Sequence, residues 1–396
     1  MIKIIDEKNV SPQIRRKIEE ISNLPGVKQV AVFPDVHLKA KYTRLGYRID
    51  IPSSLAILTQ NCLYPQFRSR GINCGMSLVR TNLFYQEDLL PKLEKVLRRF
   101  NPFPLMDKFS LSTKEFQQIC REGMADFDYS GIRPEWRKGN LRLKRRLGRH
   151  FGGNHFLEFQ AVDEIFDERK AQEWGIKNGQ VYILYHTAGE DLEDILEEKV
   201  VQEVIRQPRF VRLEPSSKNA QIIMKAIKIL MNYGFAYRKT TLFILKDLAD
   251  RVLGRKLELR GWVDNFHNSV EETDSNSFIY RHNVNKVSAG APVILSGFHN
   301  LRSYVNVGEP GAADFLWSAD HGYGDLIKRF PSFSVSNLKV RRIWLKRGLN
   351  LPFFLKKDEI GLEQSLAAER VLSLLEKNKI ARRVFSLRPI INFRFT

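Results

Sequence analysis

Cysteine is scarce in this chain: Cys62, Cys74 and Cys120 are the only three in 396 residues. An odd number without framework spacing argues against a disulfide scaffold and fits a reduced, cytoplasmic setting. There is no Cys-X-X-Cys pair and no His-Glu-X-X-His, so the common zinc signatures are missing. No uninterrupted apolar run is long enough to span a bilayer, which excludes an ordinary membrane helix. The opening Met1-Ile2-Lys3-Ile4-Ile5-Asp6-Glu7 meets acidic residues too early for a secretory signal. Internal repeats and low-complexity linkers are lacking too. No boundary is marked strongly enough to divide the chain, so residues 1–396 are expected to form one domain. Acid is also in deficit. Against 64 Lys and Arg stand 45 Asp and Glu, a net charge of +19. A surplus of that size points to a polyanionic partner, most commonly nucleic acid. A generally basic proteome would give the same sign.

What the chain does contain is a series of short polar motifs at the ends of apolar runs. Ser11-Pro12 starts a predicted helix over residues 11–23, with Ile14, Ile18 and Ile21 near helical spacing. Val30 to Phe33 reads as a strand stopped by Pro34, delivering Asp35 and His37, an Asp-X-His pair suited to metal binding or to a solvated loop. Gly71-Ile72-Asn73-Cys74-Gly75 sets a cysteine before a strand, either as a thiolate ligand or as a buried structural residue. Helices are predicted over 88–100 and 113–123. Arg133, Arg137, Lys138, Arg142, Lys144, Arg145, Arg146 and Arg149 form the densest basic cluster, either a phosphate-backbone track or a solvated helix face.

Gly152-Gly153-Asn154-His155 then leads into a strand, Phe156 to Ala161, that carries Glu158. A Glu in an apolar run is costly to bury unless something pairs with it. Val181 to Tyr185 is a strand ending in His186. A helix is predicted over 218–238, and residues 246–260 mix charge with Leu. His267 lies between Phe266 and Asn268, and His321 between Asp320 and Gly322. Phe278–His282 and Pro292–Leu295 read as strands, and an amphipathic helix is expected near 363–377. Four histidines at strand or loop boundaries, His155, His186, His267 and His321, together with Cys74, suggest ligands for a borderline transition metal.

The order of these motifs resembles the RtcB-type RNA ligases. The match runs through Pro34–His37, Ile72–Gly75, Gly152–Glu158, His186, Met231–Arg238, His267-Asn268, His321–Gly324 and Leu387–Pro389, nearly the whole chain. The resemblance implies a mixed α/β fold whose sheets converge on a His/Cys metal cleft. It implies a GTP- and manganese-dependent ligase that joins RNA 2′,3′-cyclic phosphate or 3′-phosphate ends to 5′-hydroxyl ends, in RNA repair or tRNA splicing. By motif position His321 would be the nucleophile that carries the guanylate. Cys74, His155, His186 and His267 would be ligands for one or two Mn²⁺. Asn154, Glu158 and Arg394 would contact the nucleotide, and the basic cluster would hold RNA. No membrane partner is implied, and the oligomeric state is not specified.

The chain departs from the family pattern on the nucleotide side. The aspartate that precedes the cysteine motif in the family is Gly71 here, with no carboxylate within four residues; Asp35 could stand in for it. The phosphate loop becomes Ser296-Gly297-Phe298-His299-Asn300-Leu301, and an acid, Asp325, follows Gly324 where the family has a base. Arg394 takes the place of a lysine, keeping the charge but not the geometry. Two other readings therefore stand beside the ligase: a catalytically reduced RNA-binding protein on the same fold, and a one-metal phosphohydrolase or nucleotidyl transferase.

Overall fold

The computed structural model describes residues 1–38, 41–42, 48–49, 51–100, 118, 155–188, 192–193, 210–274, 276–297, 301–327, 353–354 and 362–393. The predicted helix 113–123 and the basic cluster 133–149 lie outside them. The fold is mixed α/β. One sheet has five strands in the order Ile2–Ile4, Val27–His37, Ser53–Gln60, Ser277–His282 and Asn268–Asp274. Its first pair is parallel and the rest antiparallel. The larger sheet runs Pro292–Leu295, Ser303–Gly308, Ala381–Phe393, Phe156–Ile165, Gln180–Thr187, Gly75–Phe84 and Leu259–Phe266, with Phe353–Phe354 pairing beside Ala381–Phe393. A two-stranded sheet pairs Val284–Lys286 with Ser318–Asp320.

Local sequence explains most elements. Ser11 caps the helix Pro12–Ser22, accepting from the Ile14 amide, and Ile14, Ile18 and Ile21 are buried against the smaller sheet. In Phe156–Ile165 the side chains alternate. Leu157, Phe159 and Ala161 enter one core cluster, and Phe156 and Val162 enter another. No helix among the described residues is long and apolar enough to cross a membrane.

Two elements differ from the sequence expectation, the strand at Pro34 and the helix from residue 218. The strand predicted to stop at Pro34 runs from Val27 to His37, because the pairing register shifts between Val32 and His37 and so accommodates the proline. The last strand likewise passes through Pro389 at a register shift. The helix predicted to end at Arg238 continues to Leu253 before Gly254 in the left-handed conformation. Its second half buries Leu242, Leu245, Leu248 and Ala249. Helical spacing of these residues lay hidden among the charges of residues 246–260.

Candidate metal centre

Register along the larger sheet places the ligand candidates. His186 sits opposite Met76 on one side and Phe156 on the other, while Gly75 sits opposite Phe266. Cys74, His155 and His267 are the residues immediately beyond those strand ends. Four adjacent strands therefore deliver one sulfur and three imidazoles to the same edge of the sheet. His267 is also the single residue between the last strand of one sheet and the last strand of the other, so the cluster lies at the seam of the two.

The side chains converge. Cys74 Sγ is 3.0 Å from His186 Nε2 and 3.4 Å from His155 Nε2. His186 Nε2 is 3.2 Å from His267 Nε2. The ligand atoms of Cys74, His186 and His267 all lie within 4.8 Å of one another, and all three residues are buried. Ligands about 2.0–2.3 Å from one tetrahedral ion stand roughly 3.3–3.6 Å apart. The observed spacing is close to that, and the donors suit a borderline divalent ion. Burial holds His267 well below the ordinary imidazole range, and the positive potential of His321, His186, Arg238 and His155 adds to it. It is thus kept neutral, the form that can donate a lone pair to a metal.

His321 packs against this group. Its ring centroid is 4.2 Å from that of His267 and 6.4 Å from that of His186. His321 Nδ1 lies 2.7 Å from the Asn283 carbonyl. A carbonyl only accepts, so Nδ1 carries a proton, and in the neutral ring the lone pair is on Nε2. The adjacent Asp320 is fully buried, and among the described residues it has no ion-pair partner. It accepts from the Ser54 hydroxyl at 2.5 Å and the Asp35 amide at 3.2 Å, and burial raises its carboxyl to about 7.

Residues that sequence reasoning did not assign hold the cluster in place. Arg238, inside the long helix and fully buried, forms a double hydrogen bond with Asp264 on the strand leading to His267. It also donates to the Asn73 carbonyl beside Cys74 at 2.5 Å and to the Thr187 carbonyl beside His186 at 3.4 Å. One cation thus ties together the elements carrying three ligand candidates. Gly75 makes this possible: a Cβ there would lie 2.9 Å from Phe266 Cα and 3.1 Å from Arg238 Cζ. Arg238 and Lys239 are the only charges between Lys228 and Lys246 in an otherwise largely apolar helical run, and that was the available signal for a buried pair.

At the other end of the turn, Glu193 accepts from the Gly71 and Ile72 amides, at 2.6 and 3.1 Å, and from Arg68 at 2.8 Å. Asn268 Nδ2 donates to the Arg70 and Gly71 carbonyls, both at 3.2 Å. Neither role has a local sequence signature.

The remaining candidates are placed as follows. Glu158 is buried, and its carboxylate accepts from Gln160 and Asn392. Asn154 and Arg394 lie outside the described residues. Asp35 does not join the cluster: its carboxylate accepts from the Leu326 amide. Among the described residues no carboxylate belongs to the cysteine–histidine group.

A sheet seam that gathers a thiol and imidazoles around one point, with a further histidine against them, is a group of residues that could hold a divalent metal ion. The profile of the family described as tRNA-splicing ligase RtcB matches residues 17–394, and the chain belongs to this family. A tRNA-splicing ligase RtcB of Pyrobaculum aerophilum is 26% identical, over 93% of this chain and 88% of the relative. An RNA-splicing ligase RtcB homolog of Entamoeba histolytica is 24% identical, over 95% and 82%. A tRNA-splicing ligase RtcB of Nanoarchaeum equitans is 27% identical, over 78% and 76%.

Proposed function

We propose that this protein is an RNA ligase that joins 2′,3′-cyclic phosphate or 3′-phosphate ends to 5′-hydroxyl ends through a guanylated His321, in RNA repair or tRNA splicing. The observation that carries this reading is the packing of His321, its Nδ1 held on the Asn283 carbonyl, against the cluster of Cys74, His155, His186 and His267. The names of the relatives support the ligase class.

The cysteine–histidine donor set fits a divalent ion, and Mn²⁺ is the ion proposed from the family resemblance. When bound, such an ion polarises phosphate oxygens and offsets developing charge. The protein's own groups do the rest. Cys74, His155, His186 and His267 would hold the ion. His321 Nε2 would attack the α-phosphate of GTP and displace pyrophosphate, while the Asn283 carbonyl keeps the Nδ1 proton in place; a 2′,3′-cyclic end would first be opened by water to the 3′-phosphate. The guanylate would pass to the RNA 3′-phosphate, and the 5′-hydroxyl would then displace GMP. Asn154, Glu158 and Arg394 are assigned to the nucleotide, Glu158 to the base. Arg133, Arg137, Lys138, Arg142, Lys144, Arg145, Arg146 and Arg149 are assigned to the RNA backbone. The cluster draws on strands from residue 75 to 266 within a sheet closed by residues 381–393, which supports treating 1–396 as one unit. A cytoplasmic location is supported by Cys62 and Cys74, neither of which is in a disulfide.

A catalytically reduced RNA-binding protein is the second reading, and one observation favours it. The carboxylate nearest the Gly71 amide, Glu193, is taken up by Arg68 and two backbone amides. A second metal would have no carboxylate among the described residues. Incubation with α-labelled GTP and Mn²⁺ decides between them. Acid-labile, alkali-stable label on the native protein and none on His321→Ala is expected; no label at any Mn²⁺ concentration would leave the binding protein.

A further inference from the structure

We propose that the groove between the helix Lys218–Leu253 and the open edge of the strand Asn268–Asp274 receives an extended peptide with alternating apolar and basic side chains, added as a further strand to the five-stranded sheet. The groove is a cavity of about 650 Å³. Five consecutive residues, Val270 to Asp274, line it. Successive side chains of a strand point to opposite faces, so consecutive lining residues mean that the groove follows the strand's edge. This strand is the last in its sheet. Its inner edge pairs with Ser277–His282, and among the described residues no strand pairs with its outer edge. A register shift between Glu272 and Asp274 lies at the far end and leaves Val270–Glu272 regular. Edges are commonly blocked by lysine or proline, and this stretch has neither.

The opposite wall is mostly apolar, with Lys228 the one charged residue of the helix that lines it. Ile227, Met231 and Phe235 recur every four residues along one face of the helix, and Phe266 completes the floor. Such a surface accepts every second side chain of a strand while the main chain pairs with the edge, a recurrent mode of peptide recognition.

Charge selects the occupant. Glu271 is matched by Arg281 and Lys286. Glu272 and Asp274 are exposed and have no ion-pair partner among the described residues. The rim is therefore acidic on a chain of net charge +19. Screening over about 8 Å at physiological salt keeps the distant surplus from masking it. RNA would be repelled at this rim. A second copy would set the same acids opposite each other. A basic, extended peptide meets both the edge and the rim.

An occupant would also touch the back of the metal centre. The Met231 carbonyl accepts from Asn73, the Phe235 ring lies 5.3 Å from the Arg238 guanidinium, and Phe266 precedes His267.

The test is to pan a random-peptide display library against the full chain and against the double variant Glu272→Lys/Asp274→Lys, whose exposed positions leave the core intact. Peptides enriched on the native protein should alternate apolar residues with Lys or Arg. A synthetic copy should bind about tenfold or more weaker to the double variant, and about tenfold or more weaker when alternate backbone amides are N-methylated. No enrichment over a protein-free control, or affinity unchanged by both modifications, overturns the proposal. So does displacement of the peptide by a short single-stranded RNA, which would assign the groove to nucleic acid. Concentration-dependent dimerisation lost in the double variant would assign it to a second copy and overturn it equally.

Discussion

The ligand cluster and the nucleophile candidate next to it are held by opposite means. Cys74, His155, His186 and His267 sit at the ends of four long, adjacent strands, cross-tied by Arg238 with its charge matched by Asp264. His321 follows a three-residue strand in a two-stranded sheet. Its neighbour Asp320 is a buried carboxylate that accepts from a hydroxyl and an amide. The matched pair ties the elements around the cluster to one point. An unmatched carboxylate titrates near neutrality. Geometry is therefore most firmly fixed at the metal side, and the histidine side is the more responsive to pH.

Removing the matched pair should have the largest effect. Asp264→Ala leaves Arg238 buried without its carboxylate and is expected to cost about 3–5 kcal/mol in urea denaturation. A loss below about 1 kcal/mol would show that Arg238 is not held through Asp264. Next comes Cys74→Ser, which removes the thiolate but not the scaffold. With Co²⁺ as a probe, the native protein should show a thiolate-to-metal absorption that the variant lacks, at nearly unchanged unfolding stability. Absorption that persists in the variant would take Cys74 out of the ligand set. Glu193→Gln keeps a hydrogen-bond acceptor at the Gly71 turn but removes the charge facing Arg68, an expected cost of about 2 kcal/mol. Gly71→Asp tests the same turn: Gly71 has φ +76°, so a side chain there is strained by about 1–2 kcal/mol even if it gains a metal.

The smallest effect sharpens the pH contrast. The folded protein raises Asp320 from its ordinary 3.8 to about 7. The stability this contributes is present below about pH 4 and is lost as pH rises through 7. His267 behaves in the opposite sense. Its folded value lies below 6.5, so the unfolded chain takes up the proton first and stability falls as pH drops below 6.5. Asp320→Asn should flatten the loss between about pH 4 and 7, leaving the acid-side fall of His267. Thermal melts at pH 5 and pH 8 check this; an unchanged profile would mean that Asp320 is ionised throughout.

Strand ends and caps were legible because they depend on near neighbours. Ser11-Pro12 opened a helix, and the apolar runs before His186 and after His155 read as strands at the right places. The histidines and Cys74 stood out because each followed or closed such a run beside Gly, Asn or Ala. Asp35 was misjudged as a possible ligand, since nothing nearby in the chain shows that its carboxylate meets the Leu326 amide. The strand passing through Pro34 was also hidden, because whether extra residues can bulge out around a proline depends on the pairing with another strand.

The sequence alone determined which residues could bind metal, that the chain is strongly basic, and which family its motifs follow. Tertiary structure decided which of those residues meet. Only strand register brings Cys74, His155, His186 and His267 to one sheet edge. Only long-range hydrogen bonds give Arg238, Glu193 and Asn283 their roles. The physical reason is that propensity and capping act over a few residues, whereas a buried charge or carbonyl is satisfied by whatever the fold places beside it.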